Sequence, residues 1–91
     1  MENKNPYEIG EKYLCRTITM IYTGKLVKVF EKELVFTNCC WIPETERWNE
    51  SVRLGIFKEV EPYPPESEVI INRDSVLDIV KVNWNLPDKV K

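Results

Sequence analysis

"YTGKLVKVFEKELVFTNCCWI", residues 22–42, is the stretch that decides the fold. Two apolar runs, KLVKVFE and ELVFTNCC, meet at the charged residues Glu31, Lys32 and Glu33. Both runs have the spacing of strands and are rich in β-branched and aromatic residues, so the stretch predicts a β-hairpin. Such a hairpin can frame a catalytic site or form the wall of a binding domain. The residues in the rest of the chain distinguish these two possibilities.

Further strands are predicted on both sides of this hairpin. Residues 13–22, YLCRTITMIY, favour a strand, which we expect Gly24 to interrupt. Residues 69–82, VIINRDSVLDIVKV, read as two short strands separated by the turn-forming residues 72–75. Several short, bent strands in one small domain predict a mainly β fold, a small bent-strand barrel.

The segment between the third and fourth of these strands has a different composition. We expect Pro43 to end the third strand, and ETERWNESVRLG then predicts a short helix capped by Thr45 and ended by Gly55. The following FKEVEPYPPESE, with three prolines, predicts an extended connection. Residues 43–67 are therefore interpreted as a helical, proline-rich insertion.

The 91 residues suffice for one domain. We expect a flexible N-terminal arm at residues 1–11, a single β-barrel domain at residues 12–84 and a C-terminal tail at residues 85–91. A chain of this size buries only roughly two-thirds of its unfolded surface, and self-association is a common way to add buried area. The chain itself is thus the first expected partner, in a homo-oligomer.

Charge and composition exclude several classes of function. Thirteen basic and fifteen acidic side chains give a formal charge of −2, which argues against bulk RNA binding and against an anionic membrane surface. No apolar run approaches the ~20 residues of a membrane span, and the first residues lack the apolar core of a secretion signal. An odd number of cysteines, three, favours a reducing compartment, so a cytoplasmic protein is expected.

The sequence also lacks the usual catalytic equipment. There is no histidine, which removes the commonest general base and metal ligand. Phosphate-binding loops, nucleophile elbows and metal-binding motifs are missing as well. Cys39 and Cys40 are neighbours on a predicted strand and point to opposite faces, so they cannot easily hold one metal. We therefore expect no enzyme, no cofactor and no metal.

One polar set has the chemistry of a ligand site. Hydroxyl groups alternate with cations on and after the first strand, and such groups can grip a phosphate or a ribose, although the solvent face of a strand shows the same alternation. A tryptophan on the predicted helix, with arginines nearby, suits a stacked base, although tryptophans also fill cores and subunit contacts. The candidate ligand-binding residues are Arg16, Thr17, Thr19, Tyr22, Lys25, Arg47, Trp48 and Arg73.

Two segments, TGKLVKVFEKELVFTN at residues 23–38 and EVIINRDSVLDI at residues 68–79, resemble the two-part signature of Sm-like small barrels. The resemblance implies a ring-forming, Sm-like or SH3-like bent-strand barrel, with the short helical insertion between its third and fourth strands. That family's RNA pocket uses an Asp-x-x-Asn turn, where this chain has Glu31, Lys32 and Glu33, and the glycine after its arginine is Asp74 here. Arg73 alone matches, so the resemblance implies the architecture without the RNA recognition.

The chain also resembles an uncharacterised group of small phage and bacterial proteins. The shared pattern runs over residues 16–84 and contains RT.T..YTG.LV, a tryptophan before a short helix, EVEP.P and a final D.V. This resemblance implies a phage origin and carries no assigned activity.

These observations predict a non-catalytic, homo-oligomeric binding protein that sequesters a small anionic ligand, such as a nucleotide immune signal, in the host cytoplasm as an anti-defence protein. The alternative is a protein-interaction adaptor that uses EVEPYPPE as a docking ribbon. Single-stranded RNA binding is a third hypothesis, which the charge balance opposes.

Overall fold

A computed structural model describes residues 5–91 of the protein, which form six antiparallel strands, one short α-helix and one 3-10 turn. This arrangement confirms the predicted mainly β fold with a short helix after the third strand. The elements are β1 (Lys12–Thr17), β2 (Ile21–Val29), β3 (Glu33–Thr45), α1 (Trp48–Leu54), β4 (Phe57–Pro62), β5 (Val69–Asn72), the 3-10 turn η1 (Arg73–Ser75) and β6 (Val76–Val82).

The strands form a single sheet in the order β4-β3-β2-β1-β6. The long strand β3 pairs with β2 on one side; on the other side it pairs with β5 along residues 33–36 and with β4 along residues 40–45. β5 and β6 pair at opposite sides of the sheet, yet only the three residues of η1 separate them. The sheet must therefore curl back on itself, as the strands of a small barrel do.

The prediction of one strand over residues 13–22, interrupted at Gly24, is wrong. β1 ends at Thr17 and β2 begins at Ile21. The Thr17 backbone N–H donates to the Met20 carbonyl at 2.7 Å, and the Thr17 hydroxyl group also bonds the Met20 backbone, at 2.9 Å. These local bonds close a turn, which outweighs the strand propensity of the residues between.

The insertion differs from its prediction at its start and agrees at its helix end. Pro43 does not end the strand, because the pairing of β3 with β4 is irregular between Trp41 and Glu44, where a missing N–H is tolerated. Arg47, and not Thr45, occupies the N-cap position. Gly55 ends α1 in the left-handed conformation (φ 70°), as predicted.

A further strand, β4, lies within the segment predicted as an extended connection. It pairs with β3 and buries Phe57 and Val60. The predicted strand, turn and strand of residues 69–82 are confirmed as β5, η1 and β6.

Apolar side chains are buried on both faces of the sheet, in two clusters. Neighbouring residues enter different clusters, as Tyr13 and Leu14 do, and as Cys39 and Cys40 do. This confirms that the paired cysteines point to opposite faces. The first cluster contains Tyr13, Leu26, Leu34, Phe36, Cys39 and Ile71, and the second, against which α1 packs, contains Leu14, Cys40, Ile42, Phe57, Val60 and Val82.

Both chain ends contact the barrel where they are described. Residues 1–4 of the predicted flexible arm lie outside the described residues, whereas the Glu8 N–H donates to the Tyr13 hydroxyl at 2.9 Å. In the C-terminal tail, the N–H and the carbonyl of Lys91 both bond the backbone of Val60, at 3.0 and 2.8 Å. Among residues 5–91 no helix has the length and apolar character needed to cross a membrane.

Candidate functional site

The eight predicted ligand-binding residues do not converge on one site. Arg16 forms a bidentate ion pair with Asp78, with Nε donating to Oδ1 at 2.8 Å, and its guanidinium carbon lies 4.3 Å from the centre of the Trp48 ring. The bond to Arg16 lowers the pKa of Asp78, and the bond to Asp78 raises the pKa of Arg16. The charge of Arg16 is therefore already neutralised within the chain.

Thr17 and Thr19 lie at the turn between β1 and β2. They line a shallow depression beside Ile18, Met20 and Leu77, and the Thr17 hydroxyl is occupied by the turn itself. Among the described residues, Arg16 is the only cation that lines this depression, and its charge is paired with Asp78, so the depression offers an anion little free charge.

Arg73 and Arg47 are placed elsewhere. Arg73 donates to the Phe30 carbonyl at 2.6 Å, and its guanidinium carbon lies 5.0 Å from the centre of the Tyr7 ring. Arg47 is exposed at the start of α1. Only Lys25 and Tyr22 of the predicted set lie in or beside the cleft described next.

This cleft forms where β3 bulges. The pairing of β2 with β3 shifts between Thr23 and Lys25, and Asn38 adopts the left-handed conformation (φ 49°) opposite this shift. Gly24 allows the two strands to approach, since a Cβ atom there would lie 3.2 Å from the Cα atom of Cys39. The bulge and the glycine together bend the sheet and open a cleft of about 350 Å³ beside it.

Four parts of the chain build the cleft, which we call the lysine cleft. The lysines come from β1 and β2, and Asn38 and Cys39 come from the bulge of β3. The aromatic and proline wall lies at the end of β4 and just after it, and the last wall is the C-terminal tail. A hydrogen bond from the Cys40 thiol to the Pro87 carbonyl, at 3.1 Å, fixes this tail. The lining residues are Lys12, Lys25, Asn38, Cys39, Pro62, Tyr63, Pro65, Asn85, Leu86, Pro87 and Asp88.

Positive charge exceeds negative charge in the lysine cleft, whose lining contains two lysines and one carboxylate, Asp88. Lys12 and Lys25 are directly opposite each other across the β1–β2 pair, and within residues 5–91 neither forms an ion pair. Lys28 and Lys81, by contrast, pair with glutamates at 3.3 and 3.1 Å. Like charges directly opposite each other on a sheet are destabilising. An anion bound between the two lysines would remove this repulsion.

Hydrogen-bonding and aromatic groups lie beside this charge. The ring of Tyr63 is partly exposed, at 37 %, and its backbone N–H is held by the Cys39 carbonyl at 2.9 Å. Burial, and then the neighbouring Tyr22, raise the pKa of Tyr63, so its hydroxyl group stays a neutral donor. The side chains of Asn38, Asn85 and Asp88 add donors and acceptors.

The three cysteines are not activated as nucleophiles in this fold. Burial is the main cause that raises the pKa of Cys15 and Cys39 to about 12 and that of Cys40 to about 11, so all three thiols stay protonated and weakly nucleophilic. Among residues 5–91, no three Cys, Asp or Glu side chains are grouped as a metal would require.

Sequence reasoning missed most of the lysine cleft. Lys12 becomes informative only once the register places it opposite Lys25, and Asp88 only once the tail is folded against β4. Asn38 carries a weak signal, because asparagine is enriched at positions with positive φ.

No family model, no curated protein and no solved structure matches this chain.

Proposed function

We propose that the protein is a non-catalytic, homo-oligomeric binding protein that captures a small anionic ligand, such as a nucleotide, in the lysine cleft. The observation that carries the proposal is the pair of opposed lysines, Lys12 and Lys25, which have no anionic partner in the described chain. A phosphate placed between them would accept charge-assisted hydrogen bonds from both ammonium groups.

The size and lining of the cleft support a compact ligand. A volume of about 350 Å³ is at the lower end of the range of small-molecule sites, which suits one or two nucleotides better than a polymer. The partly exposed ring of Tyr63 can stack against a base, while Asn85 and Asp88 can bond its polar edge.

The proposed mechanism is equilibrium capture without chemistry. The thiols are buried and neutral, and the sequence has no histidine, so neither an activated cysteine nor an imidazole base is present for catalysis. A phage protein that binds a nucleotide immune signal in this way would act in the host cytoplasm by lowering the free concentration of the signal. Such a protein must be present in molar excess over its ligand.

Isothermal titration calorimetry tests the proposal with adenosine monophosphate and a cyclic dinucleotide, and with adenosine as the uncharged control. We expect the phosphorylated ligands to bind and adenosine to bind far more weakly. Lys12→Gln and Lys25→Gln should each weaken binding about tenfold, the loss expected for one charge-assisted hydrogen bond. Mass spectrometry of the recovered ligand should show it unchanged.

Lys32→Gln is the matched control, because Lys32 is an exposed lysine in the β2–β3 turn, outside the cleft. It changes the net charge equally and should leave binding intact. Equal weakening by Lys32→Gln would show a nonspecific charge effect, and an absence of binding by every phosphorylated ligand would refute capture of nucleotides.

A protein-interaction adaptor is the second candidate function. It is favoured by the exposure of residues 63–66, which present Tyr63, Pro64, Pro65 and Glu66 beside the lysine cleft. Under this alternative the phosphorylated ligands do not bind, whereas replacing Tyr63 and Pro65 by serine abolishes binding of a partner protein.

A further inference from the structure

The outer edge of β6 is the longest strand edge without a neighbour in the described part of the chain. β6 has seven residues and pairs only with β1. The outer edge of β4 is partly covered by Lys91, and its last residue, Pro62, has no backbone N–H to offer another strand. β5 has only four residues. Proteins usually protect a long free edge, because its unpaired backbone groups invite another strand.

The backbone groups that face outward on β6 follow from the pairing of β1. The backbone groups of Thr17 and Glu11 form hydrogen bonds on the β2 side of β1. Successive residues of a strand bond to opposite sides, so the even-numbered residues between these two bond to β6. Their partner Val80 therefore bonds back to β1, and the N–H and carbonyl groups of Ile79 and Lys81 point away from the sheet.

The side chains along this edge are apolar or have their charges paired within the chain, so they do not oppose the approach of another strand. Leu77, the extra residue where the β1–β6 register shifts, is 68 % exposed, as is the adjacent Ile18. The charges of Asp78 and Lys81, which would normally discourage pairing, are already neutralised by Arg16 and Glu8.

We propose that this edge pairs antiparallel with β6 of a second copy of the chain, about a two-fold axis at Val80. A two-fold axis perpendicular to a sheet places one residue opposite its own copy, and centring it on Asp78 or Lys81 would oppose like charges. The regular part of β6, residues 78–82, is centred on Val80. In this register Asp78 faces Val82 of the second copy.

The same register places Lys81 opposite Ile79 of the second copy. Leu77 lies diagonal to Lys81 of that copy, so its apolar side chain packs along the stem of the lysine. The inference rests on the self-association included in the proposed function, and it is independent of the ligand.

Light scattering after size-exclusion chromatography tests the surface with two matched variants. Leu77→Lys and Ile70→Lys change residues of similar exposure, 68 % and 65 %, on the different edges β6 and β5. Leu77→Lys puts a charge beside Lys81 of the second copy and should raise the dissociation constant of the dimer by about tenfold or more, whereas Ile70→Lys should leave it unchanged.

Disulfide trapping tests the register. Val80→Cys should give a covalent dimer under mild oxidation, since residues in a non-hydrogen-bonded antiparallel pair have Cα atoms about 4.5 Å apart, within the range of disulfides. Lys81→Cys, one residue along the same strand, should not. The three native cysteines are buried and do not compete.

Each contrary result overturns a defined part of the inference. A wild-type monomer at all concentrations would refute self-association altogether, including that part of the proposed function. A stable oligomer that dissociates with Ile70→Lys and not with Leu77→Lys would keep self-association and refute the β6 surface. Trapping by Lys81→Cys and not by Val80→Cys would refute the register.

Discussion

Replacing Gly55 with alanine should destabilise the protein far more than the same change at Gly10. Both glycines have positive φ, 70° and 95°, where a Cβ atom costs about 1 to 2 kcal/mol in backbone strain. They differ in their surroundings. A Cβ atom at Gly55 would lie 2.4 Å from Cδ2 of Trp84, whereas nothing lies within 4 Å of one at Gly10.

The additional cost at Gly55 comes from the contacts of Trp84. Its ring packs edge-on against Phe57, with ring centres 5.8 Å apart, and its Nε1 donates to the Val52 carbonyl at 2.8 Å. Displacing the ring would weaken an aromatic pair and a hydrogen bond, each worth about 1 kcal/mol. Gly55→Ala should therefore cost about 3 kcal/mol of the free energy of unfolding, and Gly10→Ala about 1 kcal/mol.

Urea unfolding, followed by tryptophan fluorescence and by circular dichroism, measures both values. A loss of about 3 kcal/mol is large against the usual 5 to 15 kcal/mol of a small domain, so the two variants separate clearly. Equal losses for both variants would refute the reasoning, because the packing of Trp84 would then contribute nothing beyond the backbone strain that the two sites share.

Three further predictions concern other buried or paired groups. Arg16→Ala should cost less than about 1 kcal/mol at neutral pH, because the pair with Asp78 is half exposed. The bond to Arg16 lowers the pKa of Asp78 in the folded protein. The stability contributed by the pair is therefore fully present above the ordinary aspartate pKa of about 3.9 and is lost as the pH falls through the lower pKa of the folded state. Acid titration of the wild type and the variant should show their free energies of unfolding converging. Ser51→Ala should cost about 1 to 3 kcal/mol in urea unfolding, because the buried hydroxyl accepts from the Glu46 N–H and donates to the Ile56 carbonyl; unchanged stability would contradict that role. The three cysteines should react with a thiol reagent at pH 8 only after unfolding, and fast labelling of the native protein would contradict their burial and raised pKa values.

Local chemistry explains which parts of the fold were predictable. The turn between β5 and β6 was found because its determinants are adjacent in sequence: the Asn72 side chain accepts from the Asp74 N–H at 2.8 Å. Gly55 likewise indicates the end of α1 from local sequence, because glycine readily adopts the left-handed conformation that follows a helix. The turn at residues 18–20 was missed, since Ile18 favours a strand and the hydroxyl of Thr17 that closes the turn does not stand out in the sequence.

The lysine cleft was less predictable because it depends on distant parts of the chain. The sequence points to Lys25 through its place near alternating hydroxyl groups, but the residue opposite it, Lys12, is set by the β1–β2 register. Asp88 reaches the cleft only because the tail runs back along β4. The charge of Arg16 makes it a candidate in the sequence, but its bond to Asp78, 62 residues away, is apparent only in the folded chain.

The opposed lysines give the proposed function a thermodynamic test of its own. If Lys12 and Lys25 were there for stability, Lys25→Gln would lower it. Because they face each other and neither forms an ion pair within residues 5–91, we expect Lys25→Gln to raise the stability of the ligand-free protein by a few tenths of a kcal/mol.

The sign should reverse when ligand is present. A ligand that binds only the native state at a hundred times its dissociation constant adds about 2.7 kcal/mol to the wild type. With the tenfold weaker binding expected for Lys25→Gln, the variant gains only about 1.4 kcal/mol at the same ligand concentration. Thermal unfolding with and without adenosine monophosphate, for the wild type, Lys25→Gln and the Lys32→Gln control, measures both effects. Opposite signs would show that the lysines are kept in the cleft for an anion, at a cost to stability, whereas destabilisation in both conditions would identify Lys25 as a structural residue.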